Sequence, residues 1–574
     1  MRILRPFLLV FTCLVAAAAL LVRLPDSGSG KSVRSGEFVS VRKFEQLERG
    51  TQEEDFDPSA LLWEGGPAAC DAPSATVYVP CDLQTGGETG QDRHCGDLIT
   101  GLSGSEEQAS VFLMTDDWTR APEEAVREGH PFRSVLVSGK RRMSFQVVLT
   151  GLPVLCLHKT DGEEIVRKEV HEGRIRVMSG AETGKEKKGG DSGKEFHCTF
   201  HVRGNVSSTL DKKPYKVSLV DERGEKTDAS WLGLRRDDDW ILNPLFTDST
   251  RVREMTAYEL WEKTAACTPM PEASSHMKYT EVFLDDEYQG IYALMEPVDR
   301  KQLGLKAGDL LYKIDRWDRE YPYLDLYEEK ERQKELEILT DHGFPCVEIR
   351  YPLVWDSTAT WKPMQAFHTF CFRTKDLNTL AEAGVSADLD SVVRLDLFCL
   401  LIHGMDNNWK NTFMIAGRTP QGYTLYRTVW DMNYSFGDVF VYQPEEDYVT
   451  FDPDTALSME PGKDSTFDYN AFLETDPELE NSLRQLWTSW RQAGISASSV
   501  CGSAEKYREI LENSGAMKRE AERWPLETGG SEEMEEMEEW IRRRFAFLDA
   551  YFNPESEAVP AADLSNDDWP VSAE

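Results

Sequence analysis

A chain of 574 residues has room for about three to four domains, and a content of 40% hydrophobic and 10% aromatic residues is enough for packed cores, which excludes a disordered protein. Asp and Glu number 101 against 64 Lys and Arg, a formal net charge of -37, and this excludes a nucleic-acid backbone as partner because phosphate recognition needs a basic surface. An acidic, self-repelling surface still leaves room for a local basic pocket that holds a nucleotide.

Arg2 and Arg5 precede an apolar run from Pro6 to Val22, which Arg23 ends. A charged start followed by an apolar stretch reads as a signal peptide over residues 1–23. No convincing small-x-small cleavage site stands before Arg23. An uncleaved anchor with Arg2 and Arg5 inside is therefore the alternative, although the run is at the short edge of the roughly 17–25 residues a span needs. The expectation is a secreted or cell-surface protein that meets a membrane only through this segment. Residues 24–58 are rich in Ser, Gly and charge and read as a flexible tether.

Between residues 59 and 150 short β-branched and aromatic runs alternate with turns, as in Ala75 to Val79, Val111 to Met114, Ser134 to Val137 and Phe145 to Leu149. They predict a small β-rich module. Cys70, Cys81 and Cys95 leave room for one disulfide in an exported chain; the other cysteines are scattered singly, show no zinc spacing, and read as buried thiols. A second β-rich region starts at Pro153. Its loop Gly180-Ala181-Glu182-Thr183-Gly184-Lys185 is one residue short of a phosphate-binding P-loop, with Glu186 where Ser or Thr should stand, so it is read as a surface hairpin tip. Strands follow at Phe196 to Val202, Lys212 to Val220 and Asp239 to Asn243. Asp248-Ser249-Thr250 starts a helix over Arg251 to Thr264, whose Val252, Met255, Tyr258 and Trp261 form a core stripe. A hairpin then runs from Thr280 to Val298.

The apolar run Leu397 to Ile402 leads into a polar loop with Asp406 and Asn411, then a hairpin and Asp431. An Asp, an Asn five residues on and a second Asp twenty-five residues after the first occur in this order in protein kinases. The rival reading is a set of turn formers, since Asp and Asn hydrogen-bond their own backbone. Residues 320–395 read as insertion and helix, residues 475–552 as C-terminal helices with aromatic core stripes, and the acidic tail 554–574 as disordered.

Taken in order, Arg203-Gly204-Asn205-x-Ser207-Ser208, Lys212-Lys213-Pro214-Tyr215-Lys216, Asp239-Trp240 with Asp248 and Arg253, Tyr288-x-Gly290-x-Tyr292 with Glu296, Asp406 to Asn411, Trp430-Asp431-Met432-Asn433, and Trp540-Ile541-x-x-Arg544 with Leu548, Asp549 and Phe552 resemble the CotH kinase-like family over about residues 150–553. The resemblance implies an α+β, divergent two-lobed protein-kinase-like fold behind the β module, with an N-lobe over 151–300 and a helical C-lobe over 301–553. It implies an exported or surface-anchored kinase that moves the ATP γ-phosphoryl group to hydroxyls of surface or coat proteins; the alternative is a non-catalytic coat-assembly or adhesion scaffold. Asn433 stands where the family's second carboxylate is usual, and Val206 where a Ser or Thr is. A carbohydrate-active enzyme would need paired carboxylates across a cleft, and no such pair is singled out.

By the same resemblance, Asp406 orients the acceptor hydroxyl and takes its proton. Asn411 and Asp431 hold Mg²⁺ or Mn²⁺, with Asn433 as a neutral ligand or a turn residue. Lys213, or else Lys216, is the cation on the phosphates; the two would point to opposite sides of one strand. Its acidic partner is Glu254 or Glu259. Arg203 contacts phosphate or braces its loop. Met295 to Val298 is the adenine hinge, with Glu296 and Val298 in the nucleotide site; Glu296 is alternatively a structural acid paired with a basic residue.

Overall fold

The structure is a computed structural model and describes residues 34–63, 66–81, 109–114, 122–167, 169–180, 190–204, 207–265, 274–314, 347–354, 357–374, 376–404, 407, 410–438, 453–454, 478–525 and 529–553. The signal or anchor segment and the acidic tail lie outside these residues. Among the described residues no helix is long and apolar enough to cross a membrane.

The chain opens with β1 (Arg34–Val39), α1 (Val41–Gly50), β2 (Gln52–Glu54), the ladder β3 (Leu62–Trp63) and β4 (Gly66–Pro67), β5 (Ala69–Asp71), β6 (Thr76–Pro80), β7 (Ala109–Met114), α2 (Pro122–Glu128), β8 (Pro131–Ser138) and β9 (Arg141–Thr150). One sheet takes the order β1-β7-β8-β9-β6-β5, with β2 added on β9. Residues 34–54 therefore differ from the tether expected there: β1 pairs in parallel with β7, and Val39 and Phe44 are buried with Met114 and Val135. Two apolar anchors in a polar stretch are too sparse to shift composition, yet they fix the segment once a sheet edge is available.

The next strands are β10 (Val154–Lys159), β11 (His171–Met178), β12 (Glu195–Val202), β13 (Tyr215–Val220) and β14 (Asp239–Asn243), followed by α3 (Arg253–Ala265) and the hairpin β15 (Met277–Leu284) and β16 (Glu287–Met295). They close into a seven-stranded barrel, β10-β11-β12-β13-β14-β16-β15, sealed by the parallel pairing of β10 with β15. Alternation sorts the faces: Tyr215, Val217 and Leu219 of β13 are buried, while Lys216 and Ser218 turn to the other side. The barrel interior packs around Phe200, Trp231, Trp240 and Tyr292.

After the barrel come β17 (Leu310–Ile314), β18 (Val347–Tyr351), α4 (Ser357–Thr369), α5 (Leu377–Glu382), β19 (Val385–Ala387), α6 (Leu389–Ile402), β20 (Thr412–Thr419), β21 (Gly422–Val429), α7 (Glu478–Gln492), α8 (Ala497–Asn513), α9 (Ala516–Arg523) and α10 (Ser531–Phe552). The strands form a second sheet in the order β18-β17-β20-β21-β19. The main apolar core joins this sheet, α6 and the C-terminal helices to the outer face of the barrel through Ile241, Leu245, Met255 and Tyr258. The mixed α+β class expected from the sequence holds; the architecture is a closed barrel beside a five-stranded sheet with helices.

Two consecutive residues of α9 fasten the parts. Arg519 meets both oxygens of Glu281 at 2.8 Å, and the Thr150 hydroxyl, at the end of the first sheet, shares that carboxylate. Glu520 accepts from Lys212 Nζ at 2.6 Å, Arg251 Nε at 3.1 Å and the Ile291 amide at 2.7 Å. Burial pulls the Lys212 ammonium down to about 7, against the opposing pull of Glu520. Removing one partner of such a buried pair costs about 3–5 kcal/mol because the other charge is left uncompensated. The first sheet also shares a core with the barrel, where Tyr78 stacks on Tyr288 at 5.4 Å and meets Phe283 at 4.9 Å. Cys70, Cys156, Cys198 and Cys501 are buried thiols.

Candidate functional site

The loop expected to carry the chemistry begins where α6 stops. His403 caps the helix in the left-handed region at φ 54° and turns the chain out. Asp406 lies outside the described residues. Asn407, fully buried, ties the loop to the end of β21: its Nδ2 donates to the carbonyls of Trp430 at 2.7 Å, Asp431 at 3.3 Å and Asn411 at 3.4 Å. Asn411 and Asp431 both sit at positive φ, 54° and 58°. Only Gly, Asn and Asp visit that region readily, so the two functional residue types are also the ones this backbone tolerates.

Helix α3 supplies the opposite wall. The Asp431 amide donates to the Tyr258 hydroxyl at 3.3 Å. Glu254, one helical turn earlier, is 1% exposed. Asn243 Nδ2 donates to its Oε2 at 2.7 Å, and its Oε1 has no hydrogen-bond partner among the described residues. Burial, and then the neighbouring charge of Asp431, push this carboxyl up to about 8, while Asn243 and Arg203 pull it back. Arg203, at the end of β12, is half-buried; desolvation weakens its hold on its proton, and the carboxylates of Asp431 and Glu254 strengthen it. Its guanidinium lies 5.4 Å from the centroid of the Trp430 ring. Asn433 completes the group, with its Nδ2 donating to Thr247 Oγ1 at 2.9 Å.

The structure thus sets Arg203, Glu254 and Asp431 in one charge neighbourhood, ties Asn411 to Asp431 through Asn407 with Asn433 two residues on, and of the two acids considered on α3 selects Glu254. Glu259, the other acid considered on α3, points away. Burial raises its carboxyl, but Lys506, Tyr507, Ser503 and Lys263 outweigh this and hold it at about 2. Those donors lie on α8, apart from Lys263 of α3 itself. Lys213 is not on a strand, because β13 starts at Tyr215, and its Nζ donates to the Leu210 carbonyl of its own loop. The opposite-face argument for the two lysines therefore fails. Lys216 lies on β13 beside His201 and pairs with Asp239 at 3.1 Å.

The segment expected as a hinge is engaged within the protein. The Glu296 amide donates to the His276 carbonyl at 3.0 Å, its carbonyl accepts from Ser275 Oγ at 2.9 Å, and the Pro297 carbonyl accepts from Arg235 at 3.0 Å. The Glu296 carboxylate takes the Arg235 amide at 2.7 Å and faces His276 at 3.0 Å, which fits the structural-acid reading of this residue. Val298 is buried in the main core.

Among the described residues no three His, Cys, Asp or Glu side chains come together to hold a metal. The donor set this loop offers is one carboxylate and two amides: Asn411 and Asp431, whose backbone carbonyls are both held by Asn407, and Asn433 two residues on, with Glu254 near enough to feel the charge of Asp431. Hard divalent cations take this donor chemistry, and a cation there would oppose the burial and the Asp431 charge that keep the Glu254 carboxyl protonated. Lys212 and Asn407 carry no marked signal in the sequence, and nothing there chooses Glu254 over Glu259. Lys212 is one of two adjacent lysines, Asn407 one of two adjacent asparagines, and Glu254 one of two acids on a helix.

A family model described as CotH kinase protein matches residues 200–548. No curated protein matches the chain.

Proposed function

The chain belongs to the CotH kinase protein family, and from that premise we propose that it is an exported or surface-anchored kinase that transfers the ATP γ-phosphoryl group to hydroxyls of surface or coat proteins. The observation that carries this reading is the charge neighbourhood of Arg203, Glu254 and Asp431, with Asn411 tied to Asp431 through Asn407 and Asn433 two residues on. Phosphoryl transfer asks little covalent chemistry of a protein; it asks for position and charge neutralisation. Asp431, Asn411 and Asn433 would hold Mg²⁺ or Mn²⁺, which when bound neutralises charge on the phosphates. Arg203 supplies a positive charge beside Asp431, and Glu254, its carboxyl pushed up to about 8, is the protonated neighbour on α3. Asp406 orients the acceptor hydroxyl and receives its proton. Barrel and sheet then play the parts of the two lobes of a divergent kinase, with residues 1–23 as signal or anchor.

The occupied backbone groups at Glu296 and Pro297, and an amide at Asn433, favour a second reading, a kinase-like scaffold without turnover. Phosphate incorporation into casein-like acceptors, or into the protein itself, separates the two. Asp406→Asn should lower incorporation by about 10²–10⁴-fold, the usual contribution of a positioned base. A full-length protein that incorporates no phosphate supports the scaffold.

A further inference from the structure

Glu254 keeps one oxygen with nothing to bind. Its Oε2 is held by Asn243 Nδ2 at 2.7 Å, while its Oε1, fully buried, has no hydrogen-bond partner among the described residues. Native proteins leave few buried polar atoms bare, and a carboxyl oxygen is among the costlier ones.

Two contacts between the same two stretches of chain bracket this residue. On one side Tyr258, one turn after Glu254 on the same face of α3, accepts at its hydroxyl from the Asp431 amide at 3.3 Å. On the other, Asn243 ends β14, and four residues later Thr247 Oγ1 accepts from Asn433 Nδ2 at 2.9 Å. Burial first, and then the charges of Glu254 and Asp431, raise the Tyr258 hydroxyl, so both acids act on one side chain. Arg203 faces the same two carboxyls, but its pull on Glu254 is smaller than the push of Asp431. Asn433 is an amide and brings no charge.

We propose that Glu254 is a metal ligand through Oε1, and that with Asp431 it forms a two-carboxylate site able to hold a divalent cation before any nucleotide arrives. One carboxylate leaves a divalent cation half neutralised and dependent on phosphate oxygens; two balance it. The cation takes the place of the proton that burial and Asp431 keep on Glu254. The purpose of the site rests on the kinase reading, and the probe is the metal alone, so the two fail separately.

The experiment titrates Mn²⁺ without nucleotide into the full chain near neutral pH, as the parent and as Glu254→Gln, reading free Mn²⁺ by its electron paramagnetic resonance signal. Melts are recorded with and without the metal. Glu254→Gln keeps the shape and an acceptor for Asn243 and removes the charged ligand. It should bind Mn²⁺ about 10- to 100-fold more weakly, at least the loss that follows when a group supporting a ligand is removed. Mn²⁺ that raises the melting temperature of the parent should leave that of the variant unmoved. Without metal the variant should melt no lower than the parent, and Glu254→Met replaces it should it not fold. Parent-like Mn²⁺ affinity of the uncharged variant would overturn the site, even if the parent incorporates phosphate. A parent that binds no Mn²⁺ without nucleotide would overturn it as well. A parent that binds Mn²⁺ through Glu254 but incorporates no phosphate would sustain the site and overturn the kinase reading.

Discussion

Single residues in this molecule are placed by what they must avoid as much as by what they touch. Gly290 has φ 94°, and a Cβ there would stand 2.1 Å from Glu520 Oε2, against the buried carboxylate that holds Lys212 and Arg251. Gly290→Ala should therefore destabilise by about 2–4 kcal/mol in denaturant melts, beyond the effect of the positive φ alone. His276 offers a titration test. Hydrogen bonds to Glu262 and then Glu296 raise its pKa to about 10, from an ordinary value near 6.5. A histidine raised on folding contributes stability that is complete below about pH 6.5 and is lost as pH climbs toward 10. Its side chain is 58% exposed, so salt should shrink the effect. Melting temperatures measured across that range at low salt should fall more for the parent than for His276→Gln. Parallel curves would remove His276 as a link between α3 and Glu296. The sequence could name the site residues by type but not by direction: of Lys212 and Lys213 it could not say which turns inward, and only burial against Glu520 decides it.

Among the elements, the strand and helix signals were legible where they are local. The run Ala75 to Val79 became β6 (Thr76–Pro80), and the helix expected over Arg251 to Thr264 became α3 (Arg253–Ala265). What could not be read was pairing at a distance, such as the parallel β10–β15 contact that closes the barrel. Helical geometry did hold more information than was taken from it. Glu254 and Glu259 are five residues apart, about 140° around the axis, so they could not share a face. One faces Asp431, and the other locks α3 to α8 through Ser503, Lys506 and Tyr507. Glu259→Ala should lower global stability by about 1 kcal/mol, take the shared acceptor from the buried Ser503, the half-buried Tyr507 and the half-exposed Lys506, and loosen α3. Faster amide exchange along α3, together with weaker ATP binding, is the expected signature. Unchanged exchange in α3 would show that α8 does not hold it.

At the scale of the whole molecule, the pieces that composition separated do not stand apart. The first sheet shares apolar core with the barrel, and α9 reaches back from the C-terminal region to tie Thr150, Glu281, Lys212 and Arg251 together. Removing residues 34–150 would expose Tyr288 and Phe283 and leave Arg519 and Glu281 without Thr150. The truncated chain should lose its cooperative melt or aggregate, whereas a trimmed chain that melts like the parent would show the sheet to be dispensable. This is why activity tests belong on the full chain. Metal-dependent ATP affinity, compared by calorimetry between the parent and Asp431→Asn with and without Mn²⁺, tests the central claim most directly. The account predicts that Mn²⁺ tightens ATP binding to the parent by about tenfold or more and that the substitution abolishes this gain, because it removes a charged ligand next to a divalent ion. The same metal-dependent affinity in both proteins would contradict it.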